Sequence, residues 1–387
     1  MELKIFFDSV DEQLYENILD ESSFFRQISV YGEKFPDWQR AKIAIVGLCE
    51  ERGNRENKGA ADAADAVRQV LYRLKSYSSY SKIVDLGNLR NGITHEETLF
   101  RIREITEALM EKGLFVVFIG GTNDLALGQY LAYEKLGKMV SIAAVDALLD
   151  LNPNLDEVTA RNYLNRILTQ EPNYLFHVCH FATQSFLNDI SLQEVMEKLS
   201  FENVRLGQMR DDFTKNEPLL RMADMLFFDI GAIKKIDAPG NVTKNVFGLT
   251  AEEACQLAWY AGMNDKLTTA GIYEFNPSLD LEGNTAFVVA TMVWYLIDGF
   301  NHRKGDLDFS EKYFTKYIVN IGKETDQTIV FYKSRLSEKW WMEVPYPTDE
   351  KRNHEQASLV PCSYSDYETA VQGELPNRWV LMHGKLF

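Results

Sequence analysis

Several kinds of signal are missing from this sequence. Only 4 of its 387 residues are cysteine (Cys49, Cys179, Cys255 and Cys362), and they stand without paired spacing. Reduced thiols in a cytoplasmic protein are the simplest account. No long run of Lys or Arg occurs, and the net charge is -16. A field of that sign repels phosphate backbones and anionic headgroups, so neither nucleic acid nor a membrane is an expected partner. The N-terminal Met-Glu-Leu-Lys-Ile-Phe-Phe-Asp has no basic region and no small-residue cleavage site, and is not read as a secretory signal. The most apolar stretch, Thr285 to Phe300, is short and carries Asp298, so a buried helix is expected there and not a membrane span. There is no internal repeat, Walker loop, Gly-x-Gly-x-x-Gly or Ser-His-Asp elbow.

What is there is a globular composition, 45% hydrophobic and 25% charged, and an alternation of strand and helix patterns. Strand-like apolar runs fall at Ala41–Leu48, Lys82–Leu86, Phe115–Gly120, Met139–Val145, Tyr174–Val178, Met225–Ile230 and Thr269–Phe275. They are continuous rather than alternating, as strands covered on both faces are. Val67, Val70, Leu71 and Leu74 mark a helical stripe between two of them. Thr94-His-Glu-Glu97 and Thr250-Ala-Glu-Glu253 read as capping boxes opening two more helices. The expected fold class is α/β, a three-layer α/β/α sandwich with a mostly parallel sheet over residues 41–300. A 1–40 segment precedes it, and an aromatic-rich extension, 301–387, follows. The extension is expected to carry strands at Thr328–Tyr332 and Trp340–Val344 and a helix through Tyr364–Gly373.

Ligands of such sheets sit at the carboxyl ends of the strands. The loops there hold Gly120-Gly121-Thr122-Asn123-Asp124, Asp146-Ala147-Leu148-Leu149-Asp150, Asp229-Ile230-Gly231 with Ala238-Pro239-Gly240, and Glu274-Phe275-Asn276-Pro277-Ser278-Leu279. Any one of these acids could simply cap a helix or close a turn. Their recurrence at equivalent places favours one shared crevice.

Taken in order, these segments resemble the ureohydrolase superfamily of arginase, agmatinase and formimidoylglutamase. That pattern runs Gly-Gly-Asp-His-Ser, Asp-Ala-His-x-Asp, Asp-x-Asp, Ala-Pro-Gly, Gly-Leu-Thr, then Glu-x-Asn-Pro-Ser-Leu-Asp. Here it is met by Gly120-Gly121, Asp146-Ala147-x-x-Asp150, Asp229, Ala238-Pro239-Gly240, Gly248-Leu249-Thr250 and Glu274-x-Asn276-Pro277-Ser278-Leu279-Asp280. Gly53-Asn54-Arg55-Glu56-Asn57-Lys58-Gly59 is similar to a loop of the formimidoylglutamase branch, in which an Arg stands where this chain has Ala60. The resemblance covers roughly residues 43 to 298.

It implies two Mn²⁺ ions held by two His and four Asp, and a bridging hydroxide that attacks a guanidinium or formimino carbon. The departures fall on those ligands. Asn123 and Leu148 replace the two His, and Gly231 replaces an Asp. One ion is left with no ligand of its own. The other could find Asp146, Asp150, Asp229 and the Asn123 amide, an all-oxygen set suited to Mg²⁺, Ca²⁺ or Mn²⁺ and not to Zn²⁺. Without any cation the three acids repel, and Lys234, Lys235, Arg52 or Arg55 are candidates to neutralise them. By position Glu274 and Asn57 are expected to touch a substrate, although Glu274 could equally close the last strand.

Two readings follow. One is a family member that has lost the binuclear manganese site, carries no cofactor or catalytic residue, and acts as a scaffold or binds a small amino-acid-like ligand. The other is a divergent hydrolase of linear amidine C–N bonds working with a single Mn²⁺ or Mg²⁺. A homo-oligomer or a protein partner could form through the 301–387 extension. His177-Val-Cys179-His180 is read as packing, because its two imidazoles fall on opposite strand faces. The Trp340-Trp341 pair reads as core or as an exposed anchor.

Overall fold

The computed structural model describes residues 2–76, 81–153, 157–321, 328–345 and 359–386. Its main sheet is built from β1 (Phe7–Asp8), β2 (Ile28–Val30), β3 (Ile43–Leu48), β4 (Ile83–Leu89), β5 (Phe115–Ile119), β6 (Val140–Val145), β7 (Leu175–Thr183), β8 (Glu202–Arg205), β9 (Met225–Asp229) and β10 (Thr269–Tyr273). The order across it is β1-β4-β3-β5-β10-β9-β6-β7-β8, with β2 also on β4. Only β1 runs antiparallel to its neighbour. The seven strands expected from apolar runs are all present. The additional β1, β2 and β8 are short, and β8 (Glu-Asn-Val-Arg) is polar, so none carries a continuous apolar signal.

Alternation along each strand assigns residues to two cores. Ile43, Ile45, Phe115, Val117 and Ile119 face a core shared with helices Ala63–Leu71, Ala251–Gly262 and Asn284–Asn301. Ala44, Val46, Val116 and Phe118 face the opposite core, with helices His95–Glu111, Ala126–Lys135 and Tyr163–Thr169. That is the three-layer arrangement, and the Thr285–Phe300 run lies inside a buried helix of one layer. No helix of the described residues is long and apolar enough to cross a membrane. Each large aliphatic side chain so buried contributes roughly 1.5–3 kcal/mol.

The caps are formed unequally. At Thr250 both halves of the capping box are made. At Thr94 the hydroxyl accepts from the Glu97 amide, but the Glu97 carboxylate accepts from Ile93 N–H instead of the cap residue's own. Arg68, fully buried in the first long helix, donates to both carboxylate oxygens of Asp85 on β4 at 2.9 and 2.8 Å, and Tyr72 adds a third bond at 2.8 Å.

The C-terminal extension forms a second, antiparallel sheet of β11 (Phe314–Asn320), β12 (Thr328–Ser334), β13 (Trp340–Glu343) and β14 (Leu359–Cys362), followed by helices Tyr364–Val371 and Asn377–Leu386. Its apolar cluster closes over Met222 and Phe176 of the main domain. Buried Arg221 donates to the carbonyls of Trp340 and Cys362 at 3.0 and 3.2 Å and stacks on Trp341 at 4.2 Å. Both tryptophans are therefore core. His177 bonds Glu202 at 2.9 Å and accepts from Lys385 at 3.1 Å, while Glu202 accepts from Arg378 at 2.7 Å, which ties the last helix to β7 and β8. His180 turns instead to the Thr183 hydroxyl.

Candidate metal and ligand site

The site is assembled at the carboxyl ends of four adjacent strands, β5, β10, β9 and β6. Beyond β5 the chain turns through Gly120 and Gly121, both at positive φ (92° and 72°). A side chain at Gly120 would come within 2.9 Å of the Leu48 carbonyl, so the turn that delivers Asn123 requires glycine there. Asp146 follows β6, with its own N–H held by the Phe181 carbonyl at 3.0 Å. Asp229 ends β9 and accepts from Gly231 N–H at 2.6 Å. Glu274 follows β10. Asp150 and Glu274 both adopt positive φ (46° and 67°), backbone strain of roughly 1–3 kcal/mol each that the surroundings must hold in place.

Asp146, Asp150 and Asp229 are buried, and each offers an oxygen within 4.8 Å of the others'. Burial first, and then Asp229 and Asp150, push the Asp146 carboxyl well above the usual carboxylate range. Burial and Asp150 raise Asp229 to about 7. Asp150 is also raised by burial, less so because Arg161 faces it, with Nη1 3.6 Å from Oδ1. Asn123 donates its side-chain amide to Asp150 at 3.0 Å and to Asp229 at 3.2 Å. Two buried oxygens, Asn123 Oδ1 and Asp146 Oδ2, have no hydrogen-bond partner.

Glu274 lies beside this cluster. One of its oxygens accepts the Asn123 backbone N–H at 2.9 Å. The other accepts the side-chain amides of Asn57 at 2.7 Å and Asn54 at 2.9 Å. Burial and Asp229 raise it to about 8. Asn123, Asp146, Asp150, Asp229 and Glu274 thus form one buried cluster at the strand ends, and Asn57 reaches it through Glu274.

The cations expected to neutralise the crevice are elsewhere. Arg52 is bound to Glu50, Arg55 pairs with Glu157, Lys234 with Asp237, and Lys235 donates to the Asn241 carbonyl. The guanidinium that reaches the acids belongs to Arg161, in an irregular loop after β6 that carries no periodic or motif signal. Also unforeseen was the contact of His95 Nε2 with Asp124 Oδ2 at 2.6 Å. It buttresses the turn of Asn123 from behind. Burial pulls the His95 imidazole down, but its bond to Asp124 together with the charges of Asp124, Glu50 and Glu96 outweighs that and leaves it above its ordinary value.

The sequence model of the arginase family matches residues 41–298. The chain belongs to the arginase family. Among its curated relatives, the formimidoylglutamase of Citrobacter koseri is 25% identical over 278 residues, spanning 68% of this chain and 88% of that protein. That of Staphylococcus aureus is 26% identical over 271 residues, or 66% and 85%. The crystal structure of Trypanosoma cruzi formiminoglutamase with Mn²⁺ superposes with a TM-score of 0.64 at 22% identity, covering 70% of this chain and 100% of the other. Bacillus subtilis formimidoylglutamase gives 0.65 at 18% identity, covering 73% and 93%. The family fold and the formimidoylglutamase-like relationship are thereby established.

The donors present fit one hard divalent cation. Three carboxylates that repel one another converge with an unpartnered Asp146 oxygen, and a half-turn of the Asn123 amide would add its unpartnered Oδ1. They do not fit two. The Leu148 side chain has no lone pair to offer, and Gly231 has no side chain. A Cβ at Gly231 would stand 2.9 Å from both Asp229 Oδ1 and Thr243 Oγ1.

Proposed function

We propose that this arginase-family chain does not perform binuclear manganese hydrolysis and instead binds a small amino-acid-like ligand in the crevice at the strand ends, without a metal cofactor. One observation supports the reading: by the family resemblance Leu148 and Gly231 fall where a second ion would take donors, and a Cβ at Gly231 would stand 2.9 Å from Asp229 Oδ1 and Thr243 Oγ1, so a side chain there must displace a neighbour. A bridging hydroxide of the family's kind needs two ions sharing a water. The Asn123 amide supplies the cluster with hydrogen-bond donors in place of an ion. Glu274, with both oxygens engaged, shapes the wall of the crevice and is not a free anion awaiting a substrate. The unpaired cysteines support a cytoplasmic setting. Residues 301–387 provide a surface for a partner or a second copy.

The test is elemental analysis of protein purified with Mn²⁺ present, together with assays of arginine, agmatine and formimidoylglutamate. Less than one tightly held Mn²⁺ per chain and no release of urea, formamide or ammonia are expected. Two Mn²⁺ per chain, or turnover lost on chelation and in Asp146→Ala, would overturn the reading.

A second reading, hydrolysis of a linear amidine with one ion, is favoured by the two unpartnered oxygens. Asp146, Asp150, Asp229 and Asn123 would hold that ion, and it would supply an acidified water. Asn57 and Asn54 would keep Glu274 oriented beside it. The relatives named formimidoylglutamase suggest the substrate class.

A further inference from the structure

We propose that Arg161 is the built-in counter-cation of the carboxylate cluster and that it competes with a divalent ion for Asp150. This rests on the reading above, that the cluster takes one ion or none. Arg161 is placed by a folded turn. Thr159 N–H donates to Asn162 Oδ1 at 2.8 Å, and Arg161 N–H donates to Thr159 Oγ1 at 3.3 Å. The Ala160 N–H is bonded to the Gly53 carbonyl at 3.0 Å, which ties the turn to the Asn54–Asn57 loop around Glu274. Asn152 N–H returns to the Arg161 carbonyl at 3.1 Å and closes the loop.

From that turn the guanidinium lies 3.6 Å from Asp150 Oδ1, close enough for strong attraction but too far for a good hydrogen bond. Its side chain is 42% exposed, whereas that of Asp150 is 2% exposed. The cation can therefore leave for water, while the anion cannot. Asp146, Asp229 and Glu274 act on the same guanidinium, so it offsets the repulsion of the whole group and not of one acid. An arriving divalent ion needs the Asp150 carboxylate, whose Oδ1 Arg161 faces, and two like charges so close repel strongly. Arg161 must swing out for the ion to enter, and its presence weakens ion binding.

The experiment titrates Mn²⁺ into the full chain calorimetrically, comparing the wild type with Arg161→Gln, Arg161→Lys and Arg55→Gln. Arg161→Gln is expected to bind Mn²⁺ more tightly, by on the order of tenfold. Arg161→Lys, which keeps the charge, and Arg55→Gln, which removes a neighbouring arginine paired with exposed Glu157, should bind as the wild type does. Without metal, Arg161→Gln should melt lower than the wild type and gain more from added Mn²⁺. Equal affinities for the wild type and Arg161→Gln, or equally tightened binding in Arg161→Lys, would overturn the role given to Arg161. Wild-type stoichiometry decides the preceding reading separately. Two tightly held ions would sink that one, while the ratio between Arg161→Gln and wild type decides this one.

Discussion

Asn123 donates its side-chain amide to Asp229 at 3.2 Å, and its backbone N–H to Glu274 at 2.9 Å. One residue thus hydrogen-bonds, through two different groups, to acids from the ends of two neighbouring strands. The positive ends of these N–H dipoles point at the acids and offset part of their negative charge.

Placing imidazoles at positions 123 and 148 should bring metal back in part. Asn123→His with Leu148→His is expected to raise Mn²⁺ per chain in elemental analysis. Adding Gly231→Asp should cost about 1–3 kcal/mol of stability through overpacking against Thr243 and Asp229, visible as a lower denaturation midpoint. A triple variant as stable as wild type would show that the Gly231 pocket yields easily.

The crowded acids make stability depend on pH. Asp229 is raised from 3.8 to about 7 and Glu274 from 4.5 to about 8, so the folded chain holds protons that the unfolded chain has released. Their contribution is full at low pH and is lost as pH rises through that window. The melting temperature of metal-free protein should therefore fall between about pH 4 and pH 8, the span of those shifts. Asp229→Asn should flatten the slope. A melting temperature that rises over the same range would count against the protonated cluster.

The extension is fastened by a few concentrated contacts. Trp341 is 4% exposed and carries the Arg221 guanidinium on its face. Trp341→Ala should cost about 3–5 kcal/mol in chemical denaturation. Truncation after residue 300 uncovers Met222 and leaves Arg221 without its carbonyl partners, so an insoluble or lower-melting product is expected. A soluble truncation melting at the wild-type temperature would make the extension an independent module.

Arg68 and Asp85 are both fully buried, so removing one charge strands the other. Arg68→Met is expected to lose about 3–5 kcal/mol, and Arg68→Met with Asp85→Leu should recover part of it. Urea denaturation of the two variants compares them directly.

The sheet was legible in the sequence because β3, β5, β6 and β10 are covered on both faces and so read as unbroken apolar runs. The crevice was legible because Asp146, Asp229 and Glu274 are fixed by strand ends, which that same signal locates. Arg161 was not, since its position depends on Thr159, Asn162 and a distant Gly53 carbonyl, none of which leaves a period or a motif. Strands β11 and β14 escaped for a related reason. They mix charged, polar and apolar residues, or contain Pro361, and gain their order from pairing with β12 and β13. The four cations first considered for the crevice all lay near it in sequence or motif, and each had a nearer anion or carbonyl.

At one end of the main sheet, the outer side of β4 is divided between two short strands. β1 pairs antiparallel at Asn88–Leu89 and β2 pairs parallel at Ile83–Asp85. Open strand edges are templates on which another chain can add a strand and begin a fibre. Here an incoming strand would meet two stubs of opposite direction, with only two and three residues of ladder to copy. Growth of the sheet from molecule to molecule is blocked at that end.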